Sequence, residues 1–190
     1  MSGDEVNARR SVVTLHVVAS LDGFIAKKDN SVSWMDSPGE VYEKGASEGD
    51  ADDSVTSIDC FVLGSRTYEH ALQLGWPYGD TPTVVLTNRD LPSTRKSVAF
   101  YSGDLRKLLH EMLAPRYANI WVVGGAMVCQ SFLGLGLVDE IRLMIAPVVL
   151  GTGLSLFGDS GTEQQWLLKN VVAYKNAFVE LSYRRPSTDS

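Results

Sequence analysis

Cysteine and histidine are scarce in this chain, with two of the first and three of the second among 190 residues. Cys60 sits in DCFVLG and Cys129 in MVCQSF, apolar runs of the kind that bury thiols. His16, His70 and His110 are scattered, and none stands at a ligand spacing from a cysteine or another histidine. A disulfide scaffold and a structural zinc site are therefore excluded, and a reducing cytosol is the expected compartment. Positive charge is short as well: 17 Lys and Arg stand against 23 Asp and Glu, a net charge of −6. That balance argues against a general nucleic-acid surface while leaving room for a local basic pocket. Long hydrophobic runs are missing, and nothing approaches the ~20 apolar residues of a membrane helix. Arg9-Arg10 before VVTLHVVAS imitates a secretory signal only faintly, because the apolar part is short, alternates and contains His16. The expectation is a soluble, unprocessed, cytoplasmic protein. Neither G-x-G-x-x-G nor a P-loop occurs, which disfavours an ordinary Rossmann enzyme or nucleotide triphosphatase.

What is present suits one globular core. Apolar residues make up 44% and charged residues 21%, an ordinary balance, and the length favours a single domain. The expected layout is one domain over 11–185 between flexible tails at 1–10 and 186–190. Residues 11–19, 58–63, 83–87, 97–101 and 119–123 read as strands. SRTYEHALQL reads as a helix behind a possible Ser65 cap. After Asp104, the residues Leu105, Leu108, Leu109, Met112 and Leu113 recur at helical spacing until Pro115. A short helix is expected within 38–53, and Asp22-Gly23 and KKDNS read as turns. Past residue 139 the pattern changes: 139–146, 166–174 and 177–184 read as strands without intervening helices, the last two as a hairpin. Alternation of strand and helix predicts parallel pairing, and the final strands predict antiparallel additions at one edge. The fold class is α/β, with a mixed, mostly parallel central sheet.

In such a sheet ligands gather beyond the carboxyl ends of the parallel strands. Three of those ends carry residues suited to an anion: Gly64-Ser65-Arg66-Thr67, Thr87-Asn88-Arg89 and Gly124-Gly125-Ala126-Met127. The first and third join a glycine to a fresh helix N-terminus, whose unpaired N–H groups attract phosphate. Glycine also serves an ordinary tight β-to-α turn; Arg66 could simply pair with Glu69, and Arg89 could be a solvated loop charge. Three matched loops on one side of one sheet favour a diphosphate held between them.

In order along the chain, ASLDGFIA, LGSRTYE, LTNR, VVGGAMVCQSFL and VDEIRLMIAPVVLGTGLSLF resemble the dihydrofolate reductase superfamily, and within it the branch containing the reductase domain of the riboflavin-biosynthesis protein RibD. The resemblance covers nearly all of the chain. It implies a dihydrofolate reductase-like three-layer sandwich, NADPH as cofactor, a homodimer, and hydride transfer to a C=N or C=O carbon of a pteridine, pyrimidine or related heterocycle. RibD-like reduction of 5-amino-6-(5-phosphoribosylamino)uracil and dihydrofolate reductase-like activity both fall within it. By position, the resemblance assigns Gly64, Ser65, Arg66 and Thr67 to the cofactor phosphates. Leu86, Thr87, Asn88 and Arg89 fall on the loop around the adenosine 2′-phosphate. Gly124, Gly125, Ala126, Met127, Val128 and Cys129 fall on the turn and helix beneath the diphosphate and nicotinamide ribose. Val18, Ile25 and Ala26 fall beside the nicotinamide ring.

Dihydrofolate reductases place a carboxylate a few residues after a tryptophan. Here Trp34 is followed by Asp36, Glu40 and Glu43, and Asp36 and Glu40 are the candidate catalytic carboxylates. The L-A-D-D-P-x-L stretch usual in RibD reductase domains is replaced by SRTYEHALQLGWP, while LGTGLSLF is retained, with Gly151 and Gly153 forming a substrate-facing loop or a tight connection. The apolar run IRLMIAPVVL independently predicts a homodimer. A nucleotide-binding regulatory or interaction protein that keeps the fold without catalysis is the alternative class.

Overall fold

A computed structural model describes residues 11–36, 39–47, 57–93, 95–158 and 163–187. Its centre is β1 (Val12–Ser20), flanked in parallel by β6 (Asn119–Gly124) and β7 (Glu140–Ala146). Outside β6 lie β3 (Cys60–Gly64), β4 (Thr83–Leu86) and β5 (Val98–Tyr101), all parallel. Outside β7 lies β10 (Val179–Arg184), antiparallel to β7, and beyond it β9 (Leu167–Ala173), antiparallel to β10. The order of the eight strands is β5-β4-β3-β6-β1-β7-β10-β9. A second, two-stranded sheet joins β2 (Phe24–Ala26) to β8 (Leu154–Ser155).

The alternation of side chains along a strand decides the layers. Cys60 and Val62 of β3 face one core with Val13, Leu15 and Val17 of β1, while Leu63 faces another. The first core is roofed by α2 (Leu105–Lys107), which runs on into a π-helical turn at Leu108–Leu113, and by α3 (Ala126–Gly134). The second is roofed by α1 (Ser65–Gln73), whose Tyr68 and Ala71 pack with Leu63, Val85 and Trp76. The expected three-layer α/β sandwich is present.

Three expectations change. Strand β7 is parallel to β1, because α3 carries the chain from β6 across β1; β10 is the antiparallel strand of the edge. Residues 39–47 form turns and one bridge, Ala46 to Tyr174, instead of a helix, while Pro38 and 48–53 lie outside the described residues. In the helix after Asp104 the i→i−5 bond from Ala114 N to Leu109 O (2.8 Å) widens the turn. Leu108, Leu109 and Leu113 stay buried but Met112 is rotated out to solvent. The expected tail at 1–10 lies outside the described residues.

Candidate functional site

Strands β4, β3 and β6 are adjacent and parallel, so the ends bearing Leu86, Gly64 and Gly124 are neighbours. Helix α1 starts directly after β3, and α3 starts one residue after β6. Neither has a side-chain cap. At α3 the Gly125 carbonyl accepts from Val128 N (3.0 Å) and Cys129 N (3.1 Å), which leaves the N–H groups before them facing outward, as helix geometry requires.

Glycine brings these two helix starts together. A Cβ on Gly64 would lie 3.1 Å from Val128 Cγ2 and 3.5 Å from Gly125 N. One on Gly125 would lie 3.6 Å from Thr67 Oγ1, and Gly125 itself has an extended backbone (φ −75°, ψ −161°). Gly124 is the residue that needs glycine for its conformation, at φ +124°, and the peptide between the two is cis. Two positive helix ends thus border one space.

The third loop has its own frame. Arg89 N donates to Thr87 Oγ1 (2.9 Å), and Ser102 Oγ donates to Asn88 Oδ1 (2.6 Å). The Arg89 guanidinium pairs with Glu69 Oε2 at 2.9 Å, and that hydrogen bond pushes its pKa further above the usual arginine value. Arg66 does not pair with Glu69; its Nη1 donates to Asn30 Oδ1 (3.1 Å). Met127 is 78% exposed in the first turn of α3, whereas Val128 and Cys129 point into the core and support the turn from beneath. Burial pushes the Cys129 thiol up to about 12, and burial with the Asp59 charge does the same to Cys60. Neither is a nucleophile near neutrality.

At the end of β1, Val18 packs with Trp34, Ala46, Met144, Val148 and Val172 around buried Ala146, Tyr174 and Phe178. Ile25 and Ala26 are buried in β2. Gly153 is a tight connection: a Cβ there would run into the Ala26 carbonyl oxygen. The segment from Leu150 to Gly151 is tied to the β1–β2 turn by Asp22, which the sequence marks only as a turn residue. Its carboxylate accepts from Leu150 N (3.1 Å), Gly151 N (2.7 Å) and Ser20 Oγ (2.6 Å), which together hold its pKa below the usual range, the Ser20 bond foremost. Trp34 Nε1 is buried with no hydrogen-bond partner among the described residues. Asp36 ends the 3-10 turn Ser33–Met35 and is exposed; Glu40 is exposed too, 3.9 Å from Lys175 Nζ. The structure does not bring these two carboxylates into an enclosed pocket.

Deeper under the same face lies a polar network also missed from sequence. His16 packs against Trp121 with the rings tilted by 55° (4.6 Å between centroids), and Arg142 pairs with buried Glu180, which accepts from Tyr174 Oη at 3.3 Å. Burial first, then the Arg142 charge, lowers the His16 pKa to about 4 against an opposing effect of Glu180. A cavity of about 350 Å³ opens at the far end of α3, lined by Gly134, Gly136, Gln164 and Arg185. Gln164 and Arg185 are already bonded there to the Leu133 and Gly136 carbonyls. Among the described residues no cluster of His, Cys, Asp and Glu suits a metal, and no helix is long and apolar enough to cross a membrane.

Comparison with known proteins agrees with this architecture. The family model for the RibD C-terminal domain matches residues 11–179. The uncharacterized protein YwjB of Bacillus subtilis (strain 168) is 32% identical over 173 residues, covering 90% of this chain and 96% of its own. A putative riboflavin biosynthesis protein from Shewanella sp. PV-4 superposes with a TM-score of 0.75 at 22% identity, covering 93% of this chain and 99% of that one. A Thermotoga maritima diaminohydroxyphosphoribosylaminopyrimidine deaminase/5-amino-6-(5-phosphoribosylamino)uracil reductase gives a TM-score of 0.69 at 16% identity; 95% of this chain corresponds to 58% of that one. By its sequence match and its sheet order, the chain belongs to the RibD C-terminal domain family, with a dihydrofolate reductase-like fold.

Proposed function

We propose that this protein is an NADPH-dependent reductase that transfers hydride to a C=N or C=O carbon of a pteridine- or pyrimidine-type heterocycle. The observation that carries the reading is the meeting of two uncapped helix N-termini, α1 and α3, across Gly64 and Gly125. Such a pair suits a diphosphate, because each helix end offers outward N–H donors and partial positive charge. In this reading Ser65, Arg66 and Thr67 on one side and Ala126 and Met127 on the other hold the diphosphate. Thr87, Asn88 and Arg89 receive the 2′-phosphate beyond Leu86, where a guanidinium is the apt partner. Val18, Ile25 and Ala26 wall the nicotinamide, and Val128 and Cys129 keep α3 in place.

When bound, the nicotinamide supplies the hydride. The protein's share is to orient, to exclude water and to handle the proton. Asp22 fixes residues 150–151 against the turn that leads into Ile25 and Ala26. Trp34 offers a buried indole N–H, a donor whose lack of an acceptor costs about 1–3 kcal/mol and which a heterocyclic acceptor would satisfy. Asp36 and Glu40, being exposed, would pass protons from water at the mouth of the site. The T. maritima relative's reductase activity supports the reaction class for this chain. A homodimer fits the exposed edge strand β9, with Leu167, Leu168 and Val171 facing solvent, and the paucity of cysteine fits a cytosolic setting.

Tryptophan-fluorescence titration with NADPH, followed by a metabolite-pool screen that monitors NADPH absorbance, tests the proposal. Binding together with substrate-dependent oxidation is the expected result. Binding with no oxidation by any fraction would favour the regulatory alternative, and no binding would remove the cofactor reading.

A further inference from the structure

The Arg89 side chain is oriented by a residue outside its own loop. The backbone at 87–89 is fixed by Thr87 and by the Ser102–Asn88 bond, so the Glu69 contact governs the guanidinium alone. That pair is half exposed, at 52% for Arg89 and 43% for Glu69. Arg66, one turn earlier on α1, is turned away to Asn30 and does not neutralise Glu69. A carboxylate therefore stands beside the cation that the 2′-phosphate would use. Resting on the proposed cofactor site, we infer that Glu69 sets the discrimination between 2′-phosphorylated and unphosphorylated dinucleotides by sharing Arg89 with the incoming phosphate.

The sign follows from charge. A 2′-phosphate brings up to two negative charges against the Glu69 carboxylate, whereas a 2′-hydroxyl brings none. Glu69 thus holds the preference for NADPH below what Arg89 alone would give. The guanidinium has five N–H donors and can serve both acceptors, so the competition is partial. Two charges facing one across a shared guanidinium, through water and partly screened at physiological salt, correspond to roughly three- to tenfold in affinity. Glu69→Gln removes the charge while keeping an oxygen for the Arg89 N–H.

The test is a set of fluorescence titrations of wild type, Glu69→Gln, Arg89→Ala and the double variant with NADPH and NADH, each protein checked by thermal melting. Glu69→Gln should tighten NADPH about three- to tenfold and leave NADH within about twofold. The gain should vanish when Arg89 is alanine. Glu69→Ala, lacking both charge and contact, should move NADPH affinity in the same direction. NADPH affinity unchanged or weakened in both Glu69 variants, an equal shift for NADH, or a gain that survives without Arg89 would each overturn the inference. A wild type that binds neither dinucleotide removes the cofactor reading together with it; a wild type that binds NADPH, with no gain on charge removal, removes the inference alone.

Discussion

Replacing Gly125 with alanine separates a ligand-contacting glycine from a turn glycine. Its backbone angles, φ −75° and ψ −161°, are open to alanine, and the added Cβ meets only Thr67 Oγ1 at 3.6 Å, an ordinary contact. Alanine is a poorer N-cap than glycine, a cost of about 0.5–1 kcal/mol, but it restricts the unfolded chain by about 0.4–1 kcal/mol. These nearly cancel, and stability should change by less than about 0.5 kcal/mol. The methyl group instead enters the space between the two helix starts, where a phosphate oxygen would approach the N–H groups. Loss of one such charge-assisted contact predicts NADPH affinity lowered at least ~10-fold, about 1.4 kcal/mol. Gly124→Ala is the contrast. Its φ of +124° strains any Cβ, and Cys129 Sγ would lie 3.5 Å away, so that variant should lose about 1 kcal/mol or more of stability. Urea denaturation without cofactor and fluorescence titration with NADPH read the two effects separately. Unchanged NADPH affinity in Gly125→Ala would refute the reasoning and return the pair to an ordinary turn.

Wild type should bind NADPH more tightly than NADH, and Arg89→Ala should narrow the difference by about tenfold by weakening NADPH; equal wild-type affinities in parallel titrations would end that argument. Sedimentation at micromolar concentration should show a dimer formed through the β9 side, and a sole species near 20.8 kDa would contradict it. His16 makes stability pH-dependent. Its folded pKa is about 4 against 6.5, so between these values the unfolded chain binds a proton that the folded one refuses. The stabilising effect is complete above pH 6.5 and is lost by about 3 kcal/mol as pH falls toward 4. Urea midpoints at pH 7, 5.5 and 4.5 should fall for wild type and fall less for His16→Gln; identical slopes would show that the imidazole does not titrate as described.

Local pattern made much of this molecule legible. TVVLT and IDCFVL announce strands because valine, isoleucine and cysteine fit a doubly covered sheet, and the glycines at 64, 124 and 125 sit where parallel strands turn into helices. The direction of β7 was not legible, since a strand's pattern is the same whichever way it runs. The short pair β2 and β8, three and two residues long, is below the length at which periodicity speaks. Asp22 meets residues 150 and 151 across 128 and 129 positions, and no local signal announces such a bond. Arg89 finding Glu69 ahead of Arg66 depends on where α1 and the end of β4 come to lie. Val128 and Cys129 belong to the glycine motif, yet helical spacing buries their side chains in the core, which residue position along the motif does not reveal.

The place of β1 has a consequence for how the chain is made. It comes first in chain order among the described strands, and its partners are Asn119 to Val122 on one edge and Glu140 to Ala146 on the other. No residue of the main sheet between them in sequence pairs with it. While the 98 residues between Ser20 and Asn119 emerge from the ribosome, β1 therefore has two open edges and no place in the main sheet, and closing loops of that size is a late, slow event. The three loops proposed to hold the dinucleotide are in the same position, because β6 is both the last of their strands and the link to β1. A chain that stops within β6 lacks both α3 and β7, so the proposed cradle and the centre of the sheet are each completed only beyond Gly124.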